Sequence, residues 1–436
     1  MTDKSTSLLF SPRFLPYFIT QALGAFNDNL YKNTLLLLVA FMSAANLPMS
    51  SDLIINLAAG LFILPFFLFS AHAGLLADKL EKSAFIQKVK LCEVILMALA
   101  GVAILLQQVS LMLLLLFLMG CQSAYFGPVK YALLPQHLKP GELLQGNALV
   151  ELGTFLAILL GTLLAGILIG ADHGTMLAAG LVFAFAILGY LSARKIPYAA
   201  PIAPELSVPF KPLAQAVAII KLSRLQAPIF SVILAISWFW FMGATYLTQF
   251  PNLTKTVLQA QPEVVSILLA LFSIGIGLGS LLCSKLSKQI INLNLVPVGV
   301  IGLSLFSVHL NWAIPDLSHL GGQLQSASQY LSAGRNFWLM LDILAIGLFG
   351  GLYIVPLYAY IQKNAQPALR ARMFAANNIM NALFMVGSAI IAIIVLAILN
   401  VNIPHFFMGL GIANALIGFV LLRPLTSRSK PQNKIK

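Results

Sequence analysis

Charged side chains are scarce in this sequence: 9% of its 436 residues are Asp, Glu, Lys or Arg, whereas 59% are apolar. Soluble globular domains carry about 25% charged residues, so a water-soluble fold is excluded. The apolar residues form long uninterrupted runs, for example over 53–76, 143–169 and 379–399. Runs of at least about 18 apolar residues are typical of membrane-spanning helices. The sequence therefore predicts an all-α membrane protein.

Patterns that support catalysis or metal binding are also missing. The three cysteines lie in or near apolar runs without Cys-x-x-Cys spacing, which argues against a zinc site or a disulfide framework. No Gly-x-Ser-x-Gly, P-loop or His-Glu-x-x-His pattern occurs. We therefore expect no enzyme activity, no ATP hydrolysis, no metal and no cofactor. The glycines between Gly275 and Gly279 lie inside an apolar run and predict close helix packing instead of nucleotide binding.

The apolar runs predict twelve transmembrane helices in two sets of six. The first set covers 14–44, 53–76, 85–106, 110–130, 143–169 and 175–192. The second set covers 229–250, 264–282, 293–312, 336–361, 371–399 and 404–422. The resulting domains are an N-terminal six-helix half (1–193), a proline-punctuated cytoplasmic linker with an interfacial helix (194–226), a C-terminal six-helix half (227–422) and a basic cytoplasmic tail (423–436).

Basic residues orient these spans, because cytoplasmic loops of membrane proteins carry an excess of lysine and arginine. With the N-terminus in the cytoplasm, nearly all basic residues fall in cytoplasmic segments, and we place Lys88 and Lys90 at the flank of the third span. The opposite side carries Lys255 and Arg335. Both termini are predicted to be cytoplasmic. The net charge of +13 is thus spread over many loops and does not predict a nucleic-acid partner.

The two halves contain a short internal repeat. The stretch 126–132 has a proline-containing counterpart at 354–360. About twenty residues after each proline, a polar pair stands at i,i+4: Asn147 with Glu151, and Asn377 with Asn381. Parallel six-span repeats, with a substrate path between them, are the organisation of major facilitator superfamily transporters. The sequence therefore predicts two pseudo-symmetric six-helix halves.

The loop after the second span resembles the signature loop of that superfamily. It carries Gly74, Asp78, Lys79 and Lys82 at the matching positions, whereas its counterpart after Gly279 has Cys283 in the place of the aspartate. Such a loop sets an aspartate at a helix N-terminus and lysines at lipid phosphates. We assign conformational gating to the four residues of the first loop and to Lys130.

Four further stretches resemble bacterial lysophospholipid transporters of this superfamily: 21–29 with Lys32, 126–131, 145–151 and 350–357. The resemblance implies an inner-membrane flippase that moves lysophosphatidylethanolamine and related lysolipids from the outer to the inner leaflet by alternating access. Its implied partners are the lysolipid, membrane lipids and a separate acyltransferase/acyl-carrier-protein synthetase that reacylates the product. We expect a monomer. Some relatives place a basic residue in the seventh span, where this chain has 246–249 without one.

Polar residues inside the spans are the candidate substrate contacts, because charges at membrane depth normally face partners or a water-filled path. We assign substrate binding to seven residues: Asp28, Asn29, Lys32, Asn147, Glu151, Asn377 and Asn381. Asp28 and Lys32 lie one helical turn apart on one face. Lys32 would bind the phosphate and Asp28 the ammonium, or the two would neutralise each other and only hold the first span. Glu93 and Asp342 stand nearer the predicted span ends.

Two other functions stay open at this point. The same fold serves proton-coupled export of amphipathic compounds, with Asp28 or Glu151 as the proton carrier. A membrane scaffold without transport is the third alternative. An Asp beside a permanent Lys tends to stay ionised, which argues against Asp28 as a carrier. Neither the preferred headgroup nor ion coupling follows from the sequence.

Overall fold

The computed structural model describes residues 8–42, 47–287, 290–291, 293–315 and 323–426. The described part of the chain is helical and contains no β-strand, apart from one isolated bridge between Ala260 and Gln325. Two sequence predictions fall partly outside the described residues, namely the end of the first span (43–44) and most of the basic tail (427–436).

Fourteen α-helices run through the described residues. The helices before the middle of the chain are α1 Leu15–Phe41, α2 Ser51–Lys79, α3 Lys82–Leu105, α4 Val109–His137, α5 Leu143–Ile169, α6 Gly174–Ala193 and α7 Pro212–Leu225. The later helices are α8 Ala227–Asn252, α9 Glu263–Leu286, α10 Leu295–His309, α11 Ala327–Ser332, α12 Phe337–Asn364, α13 Arg370–Ala392 and α14 Ile403–Thr426. Single π-helical turns continue α8 and α13, at Leu253–Val257 and Ile393–Ile398.

Each of the twelve predicted spans coincides with one of these helices, because a backbone in hydrocarbon must satisfy its hydrogen bonds within the segment. Helix α7 lies in the predicted linker, and the short helix α11 lies between the spans formed by α10 and α12. Within the described residues, nine helices are long and apolar enough to cross a membrane by length and composition. The predicted all-α architecture, with a helix at each of the twelve predicted spans, is confirmed.

The chain forms two compact units, and the first contains Met1–Arg224 together with Gln362–Ala382. Its helices pack in pairs: α1 against α5 and α6, α2 against α4, and α3 against α4 and α6. A continuous apolar core between them includes Tyr31, Met112 and Val182. The second unit contains Leu225–Ile361 and Leu383–Lys436. The boundary after Arg224 falls within the predicted linker.

The linker segment before α7 is bonded to the first unit. The backbone N–H groups of Ile202 and Ala203 donate to the carbonyl oxygen of Asp78 over 3.1 and 2.9 Å, and Lys82 N donates to Ala199 O over 3.0 Å. The linker residue Phe210 then stacks on Phe69 of α2, with ring centroids 6.2 Å apart. The linker is therefore held against the loop between α2 and α3.

Glycines bring α9 and α12 into backbone contact inside the second unit. A Cβ atom placed on Gly275 would lie 3.0 Å from the Gly347 Cα, and one on Gly351 would lie 2.5 Å from the Ser280 nitrogen. Because neither position has room for a methyl group, only glycine fits there at the present separation of the two helices. The close packing predicted for the Gly275–Gly279 stretch is found.

We expect Gly351→Ala to destabilise the protein by about 2 kcal/mol, because overpacking against a rigid backbone typically costs that much. Gly409→Ala in α14 is the matched control, since a Cβ there meets no heavy atom within 4 Å. Thermal unfolding in detergent measures both variants. Equal melting temperatures for the two would contradict the packing role of Gly351.

Candidate functional site

Asp28 and Lys32 lie on one face of α1, and both side chains are half-buried. The Asp28 Oδ2 accepts a hydrogen bond of 2.8 Å from the Ser123 hydroxyl on α4. The Lys32 ammonium donates to the Asn29 Oδ1 over 3.2 Å and lies 5.6 Å from the centroid of the Phe62 ring. Among the described residues, no ion pair within 4.0 Å joins Asp28 to Lys32. The two charges therefore stand apart, each held by neutral groups.

The asparagines around this pair have different partners. Asn27 on another face donates to the Val182 carbonyl of α6 over 3.0 Å, which fixes α1 against α6. Asn29 donates to the Ala25 carbonyl over 2.8 Å, which turns its oxygen toward Lys32. Asn33 donates to Thr162 of α5 over 3.0 Å. These bonds set the rotation of α1 and hence the position of the two charges.

A hydrogen-bonded network continues from Asp28 into the interior of the first unit. Ser123 also donates to the Gln122 Oε1 over 3.2 Å, and the Gln122 amide donates to the Glu93 Oε2 over 2.9 Å. The same carboxylate forms an ion pair with Lys90, three residues earlier on α3. Two side chains, Ser123 and Gln122, thus connect the partly exposed Asp28 to a buried ion pair.

The Lys90–Glu93 pair is nearly inaccessible, with exposed fractions of 1% and 2%. Small residues make room for the ammonium: a Cβ on Gly24 would lie 2.7 Å from the Lys90 Nζ, and one on Gly189 would lie 3.6 Å from it. The sequence placed Lys90 at the cytoplasmic flank and Glu93 nearer the end of a span. Both are instead internal, and the one signal in the sequence was their spacing of three residues, which puts Lys90 and Glu93 on one helix face.

Glu151 and Lys130 form a second polar cluster, between α4 and α5. The buried Glu151 carboxylate accepts a hydrogen bond of 2.9 Å from the Tyr131 hydroxyl. Lys130 donates to Thr154 over 3.3 Å, and Thr154 donates to the Gln21 Oε1 over 3.0 Å. The Lys130 side chain is therefore directed at α5.

Asn147 takes part in a reciprocal amide pair with Gln362 at the end of α12. The Asn147 amide donates to the Gln362 Oε1 over 2.6 Å, and the Gln362 amide donates back over 3.2 Å and to the Tyr131 carbonyl over 3.2 Å. Both side chains are fully buried. This arrangement joins α5 to α12, and the amide of Asn147 is occupied by protein groups.

Asn377 is the counterpart of Asn147 in the internal repeat, and its side chain has different surroundings. Asn377 on α13 is fully buried, yet both polar atoms of its side chain have no hydrogen-bond partner among the described residues. Asn381, one turn later, is half-buried. Buried amides without partners are rare in folded proteins, so Asn377 is a candidate for contact with a ligand or with water.

The predicted gating loop lies against α13 within the first unit. The Asp78 carboxylate, 1% exposed, accepts a hydrogen bond of 3.0 Å from the Arg372 Nε. Gly74 permits this approach, because a Cβ there would lie 2.7 Å from the Ala375 Cβ. Lys82 is buried, and its ammonium has no hydrogen-bond partner among the described residues, whereas Lys79 is half-buried.

Glu81 was not recognised from the sequence. Its carboxylate caps α3 by accepting hydrogen bonds from Ser83 N and Ala84 N, and it also accepts one from the linker residue Ala199 over 2.7 Å. Burial acts to raise the pKa of Glu81, but the hydrogen bonds from Ala199, Ala84 and Ser83 outweigh it and lower the pKa below its usual value. The signal available in the sequence was the position of an acidic residue immediately before an apolar helix, where it can cap the helix N-terminus.

The described residues contain no group of three or more His, Cys, Asp or Glu side chains that could hold a metal ion. Asp28, Glu93 and Glu151 each belong to a short hydrogen-bonded network. Such an arrangement suits recognition of a charged or zwitterionic solute at membrane depth.

We expect Glu81→Gln to cost about 1 kcal/mol of stability at neutral pH, the usual effect of losing a helix N-cap. Because its pKa is lowered on folding, the contribution of Glu81 is present above the pKa of the unfolded chain and is lost as pH falls through the folded value. The difference in melting temperature between wild type and variant should shrink below about pH 4. The exposed Glu205→Gln is the control, and a difference independent of pH would refute the capping role.

Lys90→Met should destabilise the first unit by about 3–5 kcal/mol, because the change leaves the Glu93 carboxylate buried without its cation. Adding Glu93→Gln should restore much of the loss, since no charge then remains. Thermal unfolding of the single and double variants tests this, with the exposed Lys88→Met as control. A double variant as unstable as the single one would show that the pair is not the stabilising interaction.

The model of the Major Facilitator Superfamily matches residues 14–385 of this chain. The chain is similar to the lysophospholipid transporter LplT of Klebsiella pneumoniae (strain 342), with 26% identity over 307 residues, which cover 67% of this chain and 68% of that protein. The LplT protein of Enterobacter sp. (strain 638) is 27% identical over 264 residues, covering 58% of this chain and 59% of that protein.

Solved structures show the same fold at low identity. The human organic anion transporter MFSD10 (TETRAN) superposes with a TM-score of 0.74 at 14% identity, covering 94% of this chain and 99% of that one. The E. coli fucose:proton symporter FucP superposes with a TM-score of 0.66 at 12% identity, covering 94% of this chain and 98% of that one. The resemblance drawn from the sequence motifs is confirmed. The chain is a multi-pass membrane transporter that belongs to the Major Facilitator Superfamily.

Proposed function

We propose that this transporter carries lysophospholipids, with lysophosphatidylethanolamine as a substrate, from the outer to the inner leaflet of a bacterial inner membrane. The observation that carries the proposal is the separation of Asp28 and Lys32 on one face of α1. Each charge is half-buried and held by a neutral side chain, Ser123 or Asn29. A pair of opposite charges kept apart in this way matches a zwitterionic ligand.

The spacing of the two charges suits a phosphoethanolamine headgroup. Residues four apart rise by about 6 Å along a helix, which is on the scale of the distance between the two charges of this group. Lys32 binds the phosphate, because an ammonium and a phosphate form strong charge-assisted hydrogen bonds. Asp28 binds the ammonium of the substrate. Asn29 positions Lys32 through their mutual hydrogen bond.

The other candidate residues take different roles in this proposal. Asn377 stays on the substrate path with its neighbour Asn381, since the buried amide of Asn377 has no hydrogen-bond partner among the described residues. Asn147 and Glu151 support the path by holding α5 to Gln362 and Tyr131. These contacts favour a role in positioning the helices over direct contact with the substrate.

Alternating access requires contacts that form and break. We assign this role to the Asp78–Arg372 ion pair and the Asn147–Gln362 amide pair, which join helices from the beginning of the chain to α12 and α13. Gly74 permits the close approach that the ion pair needs, and we assign Lys79, Lys82 and Lys130 to the same gating role.

Orientation and partners complete the proposal. The excess of basic residues supports a cytoplasmic position for both termini, and the names of the similar LplT proteins support a lysophospholipid as substrate. The protein acts as a monomer, and a separate acyltransferase/acyl-carrier-protein synthetase reacylates the delivered lysolipid. No cofactor and no nucleic acid take part.

Reconstituted protein should translocate labelled lysophosphatidylethanolamine without ATP, and faster than diacyl phosphatidylethanolamine. A site for one headgroup and a path for one acyl chain favour the smaller lipid. Back-extraction of the label from vesicles measures the rate, with protein-free vesicles as the baseline. Equal rates for both lipids, or no rate above the baseline, would refute the proposal.

Lys32→Ala and Asp28→Ala should each lower the rate of lysolipid transport by at least about tenfold, because a hydrogen bond to a charged group contributes about 1.5–3 kcal/mol. Since the two residues form no ion pair, their double variant should remain folded and inactive. Lys195→Ala, a change at an exposed position outside the helices, should keep the wild-type rate.

Thermal unfolding of the same variants separates binding from folding. If the pair served only to neutralise charge, the double variant would transport at the wild-type rate. That result would remove Asp28 and Lys32 from the substrate path.

A further inference from the structure

A second polar site lies in the second unit, away from Asp28 and Lys32. A cavity of about 240 Å³ opens between the end of α10 and the start of α12. Its lining includes His309, Trp312, Pro315, Arg335 and Trp338. The proposed transport path assigns no role to any of these residues. The cavity is therefore lined by the guanidinium of Arg335, the imidazole of His309 and the indole rings of Trp312 and Trp338.

Arg335 supplies a permanent positive charge that neighbouring groups hold in place. Its Nη2 donates a hydrogen bond of 3.1 Å to the Gln325 Oε1. Gln325 is 2% exposed, and its own amide donates to the Leu258 carbonyl over 2.9 Å. Its backbone N–H donates to the Gln259 carbonyl over 2.8 Å. A guanidinium carries five N–H donors in a planar fork that matches phosphate geometry, so this orientation suits an anion.

His309 is the second group with affinity for an anion. Its Nδ1 lies 2.9 Å from both oxygens of the Asp342 carboxylate, which is 1% exposed. Because Nδ1 is engaged with Asp342, the other ring nitrogen, Nε2, is the one that a ligand meets. When both ring nitrogens carry hydrogen, Nδ1 donates to Asp342 and Nε2 can donate to a phosphate oxygen.

The two tryptophans add apolar faces with negative electrostatic potential. The Trp338 ring centroid lies 6.2 Å from that of His309, and Trp312 and Trp338 are 68% and 57% exposed. Tryptophan attracts an ammonium group over its ring face, and it favours the interface between membrane and water. The cavity thus offers both an anion-binding side and a cation-binding side.

We propose that this cavity binds the phospho-ammonium headgroup of a lysolipid at the outer membrane surface, before the lipid reaches Asp28 and Lys32. The inference rests on the proposed function and orientation, which place the connection between α10 and α12 on the outer side. A volume of about 240 Å³ holds roughly eight water-sized groups, comparable with phosphoethanolamine. Arg335 and His309 bind the phosphate, and the tryptophans bind the ammonium.

Soluble headgroups test binding directly on the purified full-length protein. We expect glycerophosphoethanolamine to bind in calorimetric titration, and Arg335→Gln and Trp338→Leu each to weaken it about tenfold, the usual loss for a charge-assisted contact. Lys255→Gln and Tyr198→Leu are the controls, since these exposed residues do not line the cavity. Inorganic phosphate alone should bind more weakly and lose affinity only in Arg335→Gln.

Binding that neither cavity variant changes would overturn the inference. Equal affinity for inorganic phosphate and glycerophosphoethanolamine would assign the cavity to a free anion and would also overturn it. The melting temperature of each variant checks that it is folded, and Trp312→Leu provides a second aromatic variant.

Transport kinetics separate this inference from the proposed function. If both hold, Arg335→Gln and Trp338→Leu raise the apparent KM for lysophosphatidylethanolamine about tenfold and leave kcat unchanged, whereas Lys32→Ala lowers kcat. If the cavity variants transport lysolipid with the wild-type KM, headgroup binding in the cavity is refuted and the proposed function is not. Headgroup binding without any lysolipid transport refutes only the proposed function.

Discussion

The high free energy of a charge in hydrocarbon is the constraint on which this structure depends. Charges inside a membrane protein persist where protein groups or water replace their hydration. Besides Lys82 and Lys88 near the start of α3, helices α1, α3, α4 and α5 of the first unit hold three lysines and three carboxylates: Asp28, Lys32, Lys90, Glu93, Lys130 and Glu151. Their formal charges balance, and each one has a hydrogen-bond partner or an ion-pair partner.

The same constraint distinguishes charges that are sealed inside the fold from charges that stay partly accessible. Lys90 and Glu93 are nearly inaccessible and neutralise each other, so they anchor α3 among its neighbours. Asp28 is bonded to the end of their network through Ser123, while Lys32 is held by Asn29, and both stay half-buried. The buried ion pair thus supports the helix contacts that keep Asp28 and Lys32 apart.

The fold was predictable from the sequence because hydrocarbon thickness fixes the length of an apolar run, and each predicted span coincides with a helix. The contacts of the site were less predictable. Lys90 stands close to charged residues at the start of α3, and its burial depends on Gly24 and Gly189 of other helices. Asn147 and Gln362 are 215 residues apart, so no local pattern indicates their pairing. Asp28 and Lys32 were identified correctly as neighbours on a helix face, but their separate partners depend on α2 and α4.

Headgroup selectivity tests the central claim, that Asp28 binds the ammonium of the substrate, most directly. The measurement compares transport of lysophosphatidylethanolamine with transport of lysophosphatidic acid, which has the phosphate and lacks the ammonium, by wild type and by Asp28→Asn. We expect wild type to prefer the ethanolamine lipid and the variant to lose that preference, because an amide cannot form an ion pair with an ammonium. A preference that survives unchanged in Asp28→Asn would contradict the claim.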